Sequence, residues 1–392
     1  MRHHPLPASL RIDLSAAAQL TVYSTLDAAA VRWRAAEQTC AGYGFQTFAW
    51  QAVWQQTLGQ AQGWQPCVAE LSATDGRSLI WLPLAIVRRR GLRMLAFAGG
   101  EVTDYLGPLI EPAFAAALTP DSFAALWQFI LDCLPPLDIV RLQRQPPYMV
   151  LRAEQVPNPF IGLTGMTISG VAHAAHLPAT FEEFQKTRSA RVFADTRRCL
   201  RRLGESGAVR IDIRVAPAQR AAVIDTMAQQ KSRRWQASGS RDLFAEPAYL
   251  AFYQSLAEQQ ISDGEIVVSA LYAGDELIAT HWGMRHAQRF YWLMPGYENG
   301  IWARYSPGRI LLDAVVQWCI TERLAVFDLT VGDDAYKRDW ADSTMLLYGA
   351  DVGRSLRGKL AVAVAALWSR CYRWAREQPA LRAWVRRLRG NP

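Results

Sequence analysis

The sequence has no hydrophobic run long enough to cross a bilayer. Its longest uninterrupted apolar stretch is Leu360–Trp368, far shorter than the roughly 20 residues that a transmembrane helix needs. The N-terminal segment Met1–Leu20 carries early charges and prolines and has no continuous apolar core of the kind found in signal peptides. We therefore expect a soluble, cytoplasmic protein.

Cysteine is also scarce. The 6 cysteines lie far apart in the 392 residues, no two form a Cys-x-x-Cys pair, and none lies near a histidine. Disulfide frameworks and structural zinc sites need closer and more regular spacing. The sequence also lacks a Walker loop, a nucleophile elbow and a metal-binding motif. We predict reduced, mostly buried thiols and no metal.

The main body of the chain lacks an excess of positive charge, although the net charge of the whole chain is +8. The segment Gly353–Pro392 contains 10 Lys or Arg residues and a single acidic residue, so the remainder of the chain is close to neutral. A general nucleic-acid-binding protein presents a basic face on its folded body. The charge distribution therefore makes nucleic acid an improbable partner.

Short strands and helices follow the same order in both halves of the chain. The first half is predicted to contain a helix over Tyr43–Leu58, strands over Pro66–Leu71, Ser78–Val87 and Arg93–Ala98, a helix over Ser122–Leu134 and a strand over Asp138–Leu142. The second half is predicted to contain strands over Ile266–Tyr272, Glu276–Met284 and Arg289–Met294, a helix over Arg309–Thr321 and a strand over Val326–Val331. This weak duplication predicts an α/β fold, with mixed (α+β) sheets, in two related halves.

A region rich in Pro and Gly, Pro146–Gly170, separates the halves. A basic helical stretch over Phe181–Leu203 follows and is predicted to end at Gly204. Two further helices are predicted over Pro217–Trp235 and Pro247–Gln260. We therefore expect the second half to begin with a largely helical segment.

The most informative motif is the turn Tyr305–Arg309, which precedes an apolar helix. Ser306 is a suitable N-cap, and Pro307 fits the first helical turn because its missing N–H is not needed there. Gly308 allows close approach of another backbone. The positive end of the helix favours a phosphate, to which Arg309 can add a charged hydrogen bond. The alternative is an ordinary, well-capped helix.

A second polar cluster follows the predicted strand Val326–Val331, where ligands of α/β sheets commonly bind. The candidates for bases, charge anchors or proton donors in and after this strand are Asp328, Asp333, Asp334, Tyr336 and Lys337. A solvated turn is the alternative for Asp333 and Asp334. His281, in the predicted strand Glu276–Met284, is a candidate base, with a satisfied histidine of the core or groove as the alternative.

The second half resembles a known family of acetyltransferases over roughly Phe181–Trp340. The segments that carry the resemblance are Arg197–Leu203, Leu277–Ala279, Arg289–Tyr291, Tyr305–Gly308, Phe327–Leu329 and Tyr336–Trp340. Their order and spacing are similar to those of the CelD-like acetyltransferases associated with cellulose biosynthesis. This family belongs to the GNAT superfamily and is related in fold to Fem-type aminoacyltransferases. The first half matches weakly, mainly at Asp104–Pro108.

The resemblance implies a GNAT fold, in which acyl-CoA lies between two diverging strands, here Arg289–Met294 and Val326–Val331. It implies that Tyr305–Arg309 binds the pyrophosphate and that Tyr336 protonates the thiolate. The other catalytic candidates are Asp328 and His281, and the substrate-binding candidates are Asp333, Lys337 and Trp340. The Ser-Pro-Gly turn departs from the usual superfamily motif, Gln/Arg-x-x-Gly-x-Gly/Ala, which makes acetyl-CoA less certain than the fold.

The expected organisation is therefore a degenerate GNAT-like domain over 1–170, which contributes the acceptor groove, a GNAT acyltransferase domain over 171–352, and a tail over 353–392. The predicted activity is N- or O-acyl transfer, with acetyl as the first choice, to a small-molecule or glycan acceptor related to the envelope or to exopolysaccharide. Two alternatives remain: a Fem-like transferase that uses aminoacyl-tRNA, and a non-catalytic module of a membrane-bound polysaccharide synthase.

The tail is predicted to form a basic amphipathic helix. Its apolar stripe comprises Leu356, Leu360, Val364, Leu367, Cys371 and Trp374, and a second stripe after Pro379 comprises Leu381, Trp384, Val385 and Leu388. The neighbouring arginines are Arg370, Arg373, Arg376, Arg382, Arg386, Arg387 and Arg389. This composition suits peripheral contact with an anionic membrane or with a membrane-bound synthase. The alternative is that the stripe packs on the body of the protein.

Overall fold

The computed structural model describes residues 1–7, 10 and 17–377, which form a mixed α/β fold. The strands are β1 (Arg2–Pro5), β2 (Ala17–Tyr23), β3 (Gln65–Pro66), β4 (Val68–Ala73), β5 (Ser78–Leu82), β6 (Leu84–Arg89), β7 (Leu92–Phe97), β8 (Leu109–Ile110), β9 (Ile139–Gln145), β10 (Tyr148–Leu151), β11 (Glu154–Pro157), β12 (Thr167–His176), β13 (Val209–Asp212), β14 (Gly264–Ala273), β15 (Glu276–His286), β16 (Arg289–Tyr297), β17 (Val326–Val331) and β18 (Ser343–Gly353). The helices are α1 (Leu26–Thr39), α2 (Phe48–Trp54), α3 (Pro112–Ala117), α4 (Pro120–Cys133), α5 (Phe181–Lys186), α6 (Ala190–Glu205), α7 (Pro217–Ser238), α8 (Pro247–Ala257), α9 (Pro307–Thr321), α10 (Ala335–Trp340) and α11 (Leu356–Glu377).

One sheet of 11 strands runs through both halves of the chain, in the order β13-β14-β15-β16-β17-β12-β18-β9-β7-β6-β3. A second sheet of 5 strands, in the order β1-β2-β4-β5-β8, belongs to the first half. The last strand, β18, pairs with β9 of the first half, and β12 lies between β17 and β18. The two halves are therefore joined by continuous backbone hydrogen bonding, and the predicted boundary at 170/171 falls within β12.

Each half contains one short parallel pair of strands. In the second half, β16 and β17 are paired over three positions only, the last being Tyr291 with Asp328. In the first half, β7 and β9 are also paired over three positions, the last being Ala96 with Arg141. Beyond these positions each pair loses its hydrogen bonding, so the internal duplication predicted from the sequence is present in the strand arrangement.

Several predicted elements are divided in the structure. The strand predicted over Pro66–Leu71 is one of them, because Pro66 ends β3 of the large sheet and the remainder lies in β4 of the small sheet. The single strand predicted over Ser78–Val87 is wrong, because Pro83 has no N–H and separates β5 from β6, which join different sheets. The helical stretch predicted over Phe181–Leu203 is present as two helices, α5 and α6, but its predicted end at Gly204 is wrong, because α6 continues to Glu205. The strand β17 has the predicted bounds, and α9 begins two residues before its prediction.

The large sheet has a hydrophobic core on each face of its second half. Tyr291 of β16 packs with helices α7 and α8 and with the first half of the chain. Its neighbours Phe290 and Trp292 point to the other face and pack with α6 and α9. Successive side chains of a strand alternate between faces, so α7 and α9 lie on opposite sides of the sheet. The 6 cysteines are free thiols, and most of them are buried.

The tail forms helix α11, which is attached to the body at its start. The hydroxyl of Ser355 donates to the Asp138 carboxylate at 2.5 Å, and the Arg354 guanidinium donates to Asp132 at 2.9 Å. A Cβ on Gly358 would lie 1.8 Å from the Asp138 carbonyl oxygen, so only glycine allows this close packing.

Beyond this attachment the apolar stripe faces solvent, so the alternative that it packs on the body is wrong for the described residues. The exposed apolar side chains are Leu356, Leu360, Val364, Leu367, Trp368 and Trp374. The second stripe, from Leu381 onward, lies outside the described residues. Within the part of the chain that the structure describes, no helix is both long and apolar enough to span a membrane.

Candidate active site

A cavity of 780 Å³ opens where β16 and β17 separate. Its walls include Trp292 and Pro295 of β16 and Thr330 and Val331 of β17, all beyond the last paired position. The cavity is also lined by residues of α7 on one face of the sheet and of α9 on the other. Because hydrogen bonding between the two strands has ended here, the cavity connects the two faces through the sheet.

Both strands are irregular at the cavity. Leu293 has no partner on β15, which is a β-bulge in β16, and Leu329 of β17 has none on β12. Thr330 has a φ of +61°, a strained conformation for a β-branched residue. The Lys337 ammonium donates to the carbonyls of Thr330 at 3.3 Å and Val331 at 2.7 Å, which stabilises this conformation. Such bulges and strain are concentrated at functional sites.

The turn that begins α9 lines the cavity through Ser306, Pro307, Gly308 and Arg309. Ser306 is the N-cap residue, as predicted, but its φ is +51° and its side chain makes no capping hydrogen bond. A Cβ on Gly308 would lie 2.8 Å from Cδ1 of Tyr297, so glycine is needed for α9 to approach β16. The positive end of the helix dipole therefore reaches the cavity without a side-chain cap.

Two nitrogen donors near this turn are buried without a partner. They are the indole N–H of Trp292 and the Nε of Arg309. Both residues line the cavity, and another nitrogen of the Arg309 guanidinium donates to the Sγ of Cys199 at 3.5 Å. Buried donors in native proteins normally have a partner, so these groups mark a place where a ligand can supply acceptors.

Tyr336, the predicted proton donor, lines the cavity and is partly exposed to it. Burial raises the pKa of its phenol to about 12, and the nearby Asp334 carboxylate acts in the same direction. The phenol is therefore protonated at neutral pH, as a proton donor must be. The predicted residues Lys337 and Trp340 also line the cavity and are buried.

The first half of the chain contributes Asp104 to the cavity wall. Burial raises the pKa of its carboxyl, while the charges of Arg144 and Lys337 act in the opposite direction. Burial likewise lowers the pKa of Lys337, and the Asp104 and Asp334 carboxylates oppose that shift. Two ionisable groups of opposite charge, both with pKa values moved towards neutrality, therefore lie at one site.

Helix α7 contributes Lys231, Arg234 and Trp235 to the opposite wall. The Lys231 ammonium lies 5.1 Å from the centroid of the Trp235 ring, and the Arg234 guanidinium lies 5.1 Å from that of Tyr297. Burial lowers the pKa of Lys231 to about 8, and the neighbouring charge of Arg234 adds to the shift. The described residues include no carboxylate that forms an ion pair with either cation.

The structure does not bring Asp328 or His281 to the cavity. Asp328 is fully buried, and its oxygens accept from Tyr105, Arg289 and the N–H of Thr330. His281 is also fully buried and stacks on Trp292, with ring centroids 3.7 Å apart. Burial lowers the pKa of His281 well below its ordinary value, so the imidazole is neutral. Our site therefore excludes both residues.

Two further predicted residues lie beside the cavity without lining it. Tyr305 is buried, and its hydroxyl pairs with that of Ser206 at 2.6 Å. Asp333 is about half exposed, forms an ion pair with Arg338 at 2.6 Å, and has a carboxylate oxygen 3.2 Å from Nε2 of His173. Tyr305 therefore packs next to the turn without facing the cavity, and Asp333 interacts with Arg338 outside the cavity.

The cavity residues that sequence reasoning missed include Asp104, Lys231, Arg234 and Trp292. Asp104 is more than 200 residues away from Tyr336 in the chain, and no local pattern connects them. The two cations lie three positions apart on α7, which places them on one face of the helix, but many solvent-exposed pairs have this spacing. Within the described residues, no group of three or more His, Cys, Asp or Glu side chains is arranged to hold a metal ion.

Part of the second half of the chain matches a known protein family. Residues 189–338 match the family described as the acetyltransferase (GNAT) domain. This range contains β14 to β17, the turn at Ser306 and Tyr336. No match is found among curated protein sequences.

Known structures share the fold at very low sequence identity. A crystal structure of FemX has a TM-score of 0.58 at 10% identity, covering 84% of this chain and 96% of the FemX chain. A conserved protein of unknown function from Bacteroides thetaiotaomicron VPI-5482 has a TM-score of 0.51 at 9% identity, covering 85% of this chain and 99% of its own. At these identities the likeness concerns the fold alone.

The domain match identifies a GNAT-type acyltransferase domain within the second half of the chain. A short parallel strand pair occurs in the first half as well as in the second. Together with the domain match to the second half, it indicates two GNAT-like halves in tandem. The diverging strands expected from the resemblance are β16 and β17.

Proposed function

We propose that the cavity binds an acyl-CoA and that the protein transfers its acyl group, with acetyl as the first candidate, to an amine or hydroxyl of an acceptor. The observation that carries the proposal is the cavity between β16 and β17, with the uncapped start of α9 at its wall. An α-helix N-terminus favours phosphate. The backbone groups of the bulge residue Leu293, which has no partner on β15, can form hydrogen bonds with the amides of the pantetheine arm.

The chemistry needs two proton transfers, and the cavity offers a group for each. The acceptor attacks the thioester carbonyl carbon, the C–S bond breaks, and the leaving sulfur takes a proton. We assign this proton to the Tyr336 phenol, which is neutral at physiological pH. The acceptor must also lose a proton, and we assign Asp104 as the base, because its raised pKa matches this task better than that of an ordinary aspartate.

For the acceptor, we propose a precursor of the cell envelope or of an exopolysaccharide, as the resemblance to CelD-like acetyltransferases implies. The alternative of a Fem-like, aminoacyl-tRNA-dependent transferase gains support from the fold shared with FemX. It is weakened by the near-neutral body of the chain, since tRNA binding relies on basic surface. A non-catalytic accessory module remains the third reading.

We also propose that the protein works in the cytoplasm at the inner face of a membrane, attached through α11. The supporting observation is the exposed apolar stripe of α11, which includes Leu360 at 67% and Trp368 at 73% of full exposure. Exposed cations on the same helix include Lys359 and Arg370. An amphipathic helix with apolar and basic faces suits an anionic lipid surface, which attracts each nearby cation by about 1 kcal/mol.

Thioester turnover tests the proposed function. The full chain would be incubated with acetyl-CoA, a longer acyl-CoA or an aminoacyl-tRNA, with an amino-sugar panel as acceptors, and free CoA and acylated product would be quantified by mass spectrometry. We expect acceptor-dependent release of CoA in equal amount to the acylated product. Transfer from aminoacyl-tRNA alone would support the Fem-like alternative, and calorimetric binding of acyl-CoA without any turnover would support the non-catalytic module.

A further inference from the structure

The cavity wall formed by α7 carries positive charge that no described carboxylate neutralises at ion-pair distance. Lys231 and Arg234 lie there, three positions apart on one helix face. The adjacent Arg233 behaves differently: it does not line the cavity, and its guanidinium donates to Glu298 at 2.5 Å. The cation outside the cavity wall is thus paired with a carboxylate, and the two that line the cavity are available to a ligand.

These cations lie across the sheet from the start of α9. Helix α7 packs in the core that contains Tyr291, whereas α9 packs in the core on the other face. The Ser306–Arg309 turn therefore reaches the cavity from one face, and Lys231 and Arg234 reach it from the other. The Tyr297 ring lies between the two groups, since it neighbours both Gly308 of the turn and Arg234 of α7. The experiment below therefore tests whether these cations bind the second substrate or the CoA.

The environment of the two cations favours an anionic group. The Asp334 carboxylate raises the pKa of Lys231, whereas the positive charges of Arg234 and Lys337 lower it. Cations therefore outnumber anions around Lys231. A guanidinium can bind two oxygens at once, and an ammonium adds a point charge, so together they suit a phosphate. Trp235, which stacks on Phe244, lies beside Lys231 and helps to hold it in the cavity wall.

We propose that the acceptor carries a phosphate group, bound by Lys231 and Arg234, and that its amine or hydroxyl is thereby directed towards Asp104 and Tyr336. This inference rests on the proposed acyl transfer and adds the chemical class of the second substrate. A soluble sugar phosphate and the phosphate of a lipid headgroup share this chemistry, and the experiment below includes both.

The test compares acceptors with and without a phosphate group. Glucosamine and glucosamine 1-phosphate form the soluble pair, and vesicles containing phosphatidylethanolamine, with free ethanolamine as reference, form the lipid arm. We expect kcat/KM to be at least roughly 10-fold higher for the phosphorylated member in one arm, because hydrogen bonds between charged groups are stronger than those between neutral groups. The arm that shows the preference identifies the source of the phosphate.

Variants then assign the preference to the two cations. Lys231→Gln and Arg234→Gln should each raise KM for the phosphorylated acceptor by roughly 10- to 100-fold, with little change in kcat, and should leave acetyl-CoA affinity unchanged in calorimetry. Arg233→Gln is the matched control, because this neighbouring cation does not line the cavity, and it should behave like the wild type.

Three results would overturn the inference. Equal kcat/KM for phosphorylated and unphosphorylated acceptors in an active enzyme would remove the phosphate requirement. Weaker acetyl-CoA binding by the two variants, with the acceptor preference retained, would assign the cations to the CoA. If no acceptor supports turnover, the proposed acyl transfer fails, and the phosphate site is then tested by calorimetry with glucosamine 1-phosphate. The inference requires that the wild type and Arg233→Gln bind this compound and that the Lys231→Gln and Arg234→Gln variants do not. Any other binding pattern overturns it.

Discussion

The guanidinium of Arg289 donates to the buried carboxylate of Asp328 at 2.8 Å, and the Tyr105 hydroxyl of the first half donates to the other carboxylate oxygen at 2.7 Å. Asp328 is also the last residue of β17 that is paired with β16. Burial alone would lower the pKa of Arg289, but the Asp328 carboxylate holds it above its ordinary value. This ion pair therefore fixes the point where the strands separate and attaches the first half to it.

Asp328→Asn tests this structural role. The substitution leaves the buried Arg289 without its counter-ion, and breaking a buried ion pair costs about 3–5 kcal/mol. We expect a loss of this size in the free energy of unfolding, measured by urea denaturation. Asp351→Asn is the control, because it removes a more exposed ion pair with Arg141 and should cost about 0–1 kcal/mol. Equal losses in the two variants would contradict the role assigned to Asp328.

Tyr336→Phe removes the proposed proton donor while keeping the ring. We expect kcat to fall by about 10²–10⁴-fold, with little change in acetyl-CoA affinity, because the phenol acts on the leaving sulfur. Steady-state kinetics and calorimetry measure the two quantities. Tyr272→Phe, on β14 and outside the cavity, is the control. A near-normal kcat would leave Tyr336 as a residue that only shapes the cavity.

Asp104→Asn removes the proposed base. We expect kcat to fall by about 10²–10⁴-fold, whereas Asp121→Asn, at the exposed start of α4, should have no effect on the rate. A base must be deprotonated, so wild-type activity should be lost as the pH falls through the raised pKa of Asp104, at a higher pH than for an ordinary aspartate. If the variant keeps both the rate and this acidic limb, another group takes the proton.

Gly308→Ala tests the turn at the start of α9. Its Cβ would lie 2.8 Å from Tyr297, and overpacking of this kind costs about 1–3 kcal/mol. We expect acetyl-CoA affinity to fall by roughly tenfold. Gly204→Ala is the matched control, because a Cβ there meets nothing within 4 Å. Calorimetry decides, and unchanged affinity in a folded Gly308→Ala protein would remove the turn from the binding site.

The double substitution Leu360→Ser and Trp368→Ser tests membrane attachment through α11. Both side chains are exposed, so we expect the melting temperature to stay unchanged and sedimentation with anionic vesicles at low salt to be lost. Wild-type binding should also fall at high salt, because ionic strength screens the basic residues. Val31→Ser, an exposed apolar residue on α1, is the control. Equal sedimentation of all three proteins would exclude the stripe as the anchor.

Much of the binding site could be predicted from the sequence because it is built from contiguous segments. The strand β17, the helix α9 and the turn at Ser306 are set by local patterns of apolar residues, proline and glycine. Tyr336, Lys337 and Trp340 follow the end of β17 within a few residues. A correct prediction of this strand therefore also predicts that these residues lie near its carboxyl end. The tandem order of elements was likewise visible as a repeated pattern.

Tertiary structure alone decided which polar side chains face the cavity. Asp328 looked like a base, but Arg289 and Tyr105 hold it in the core. His281 is hidden by stacking on Trp292. Asp104 and Lys231 enter the cavity from elements far away in the chain, which a local pattern cannot bring together. The physical reason is that periodicity fixes the face of an element on which a side chain lies, whereas packing between elements decides whether that face meets core, ligand or solvent.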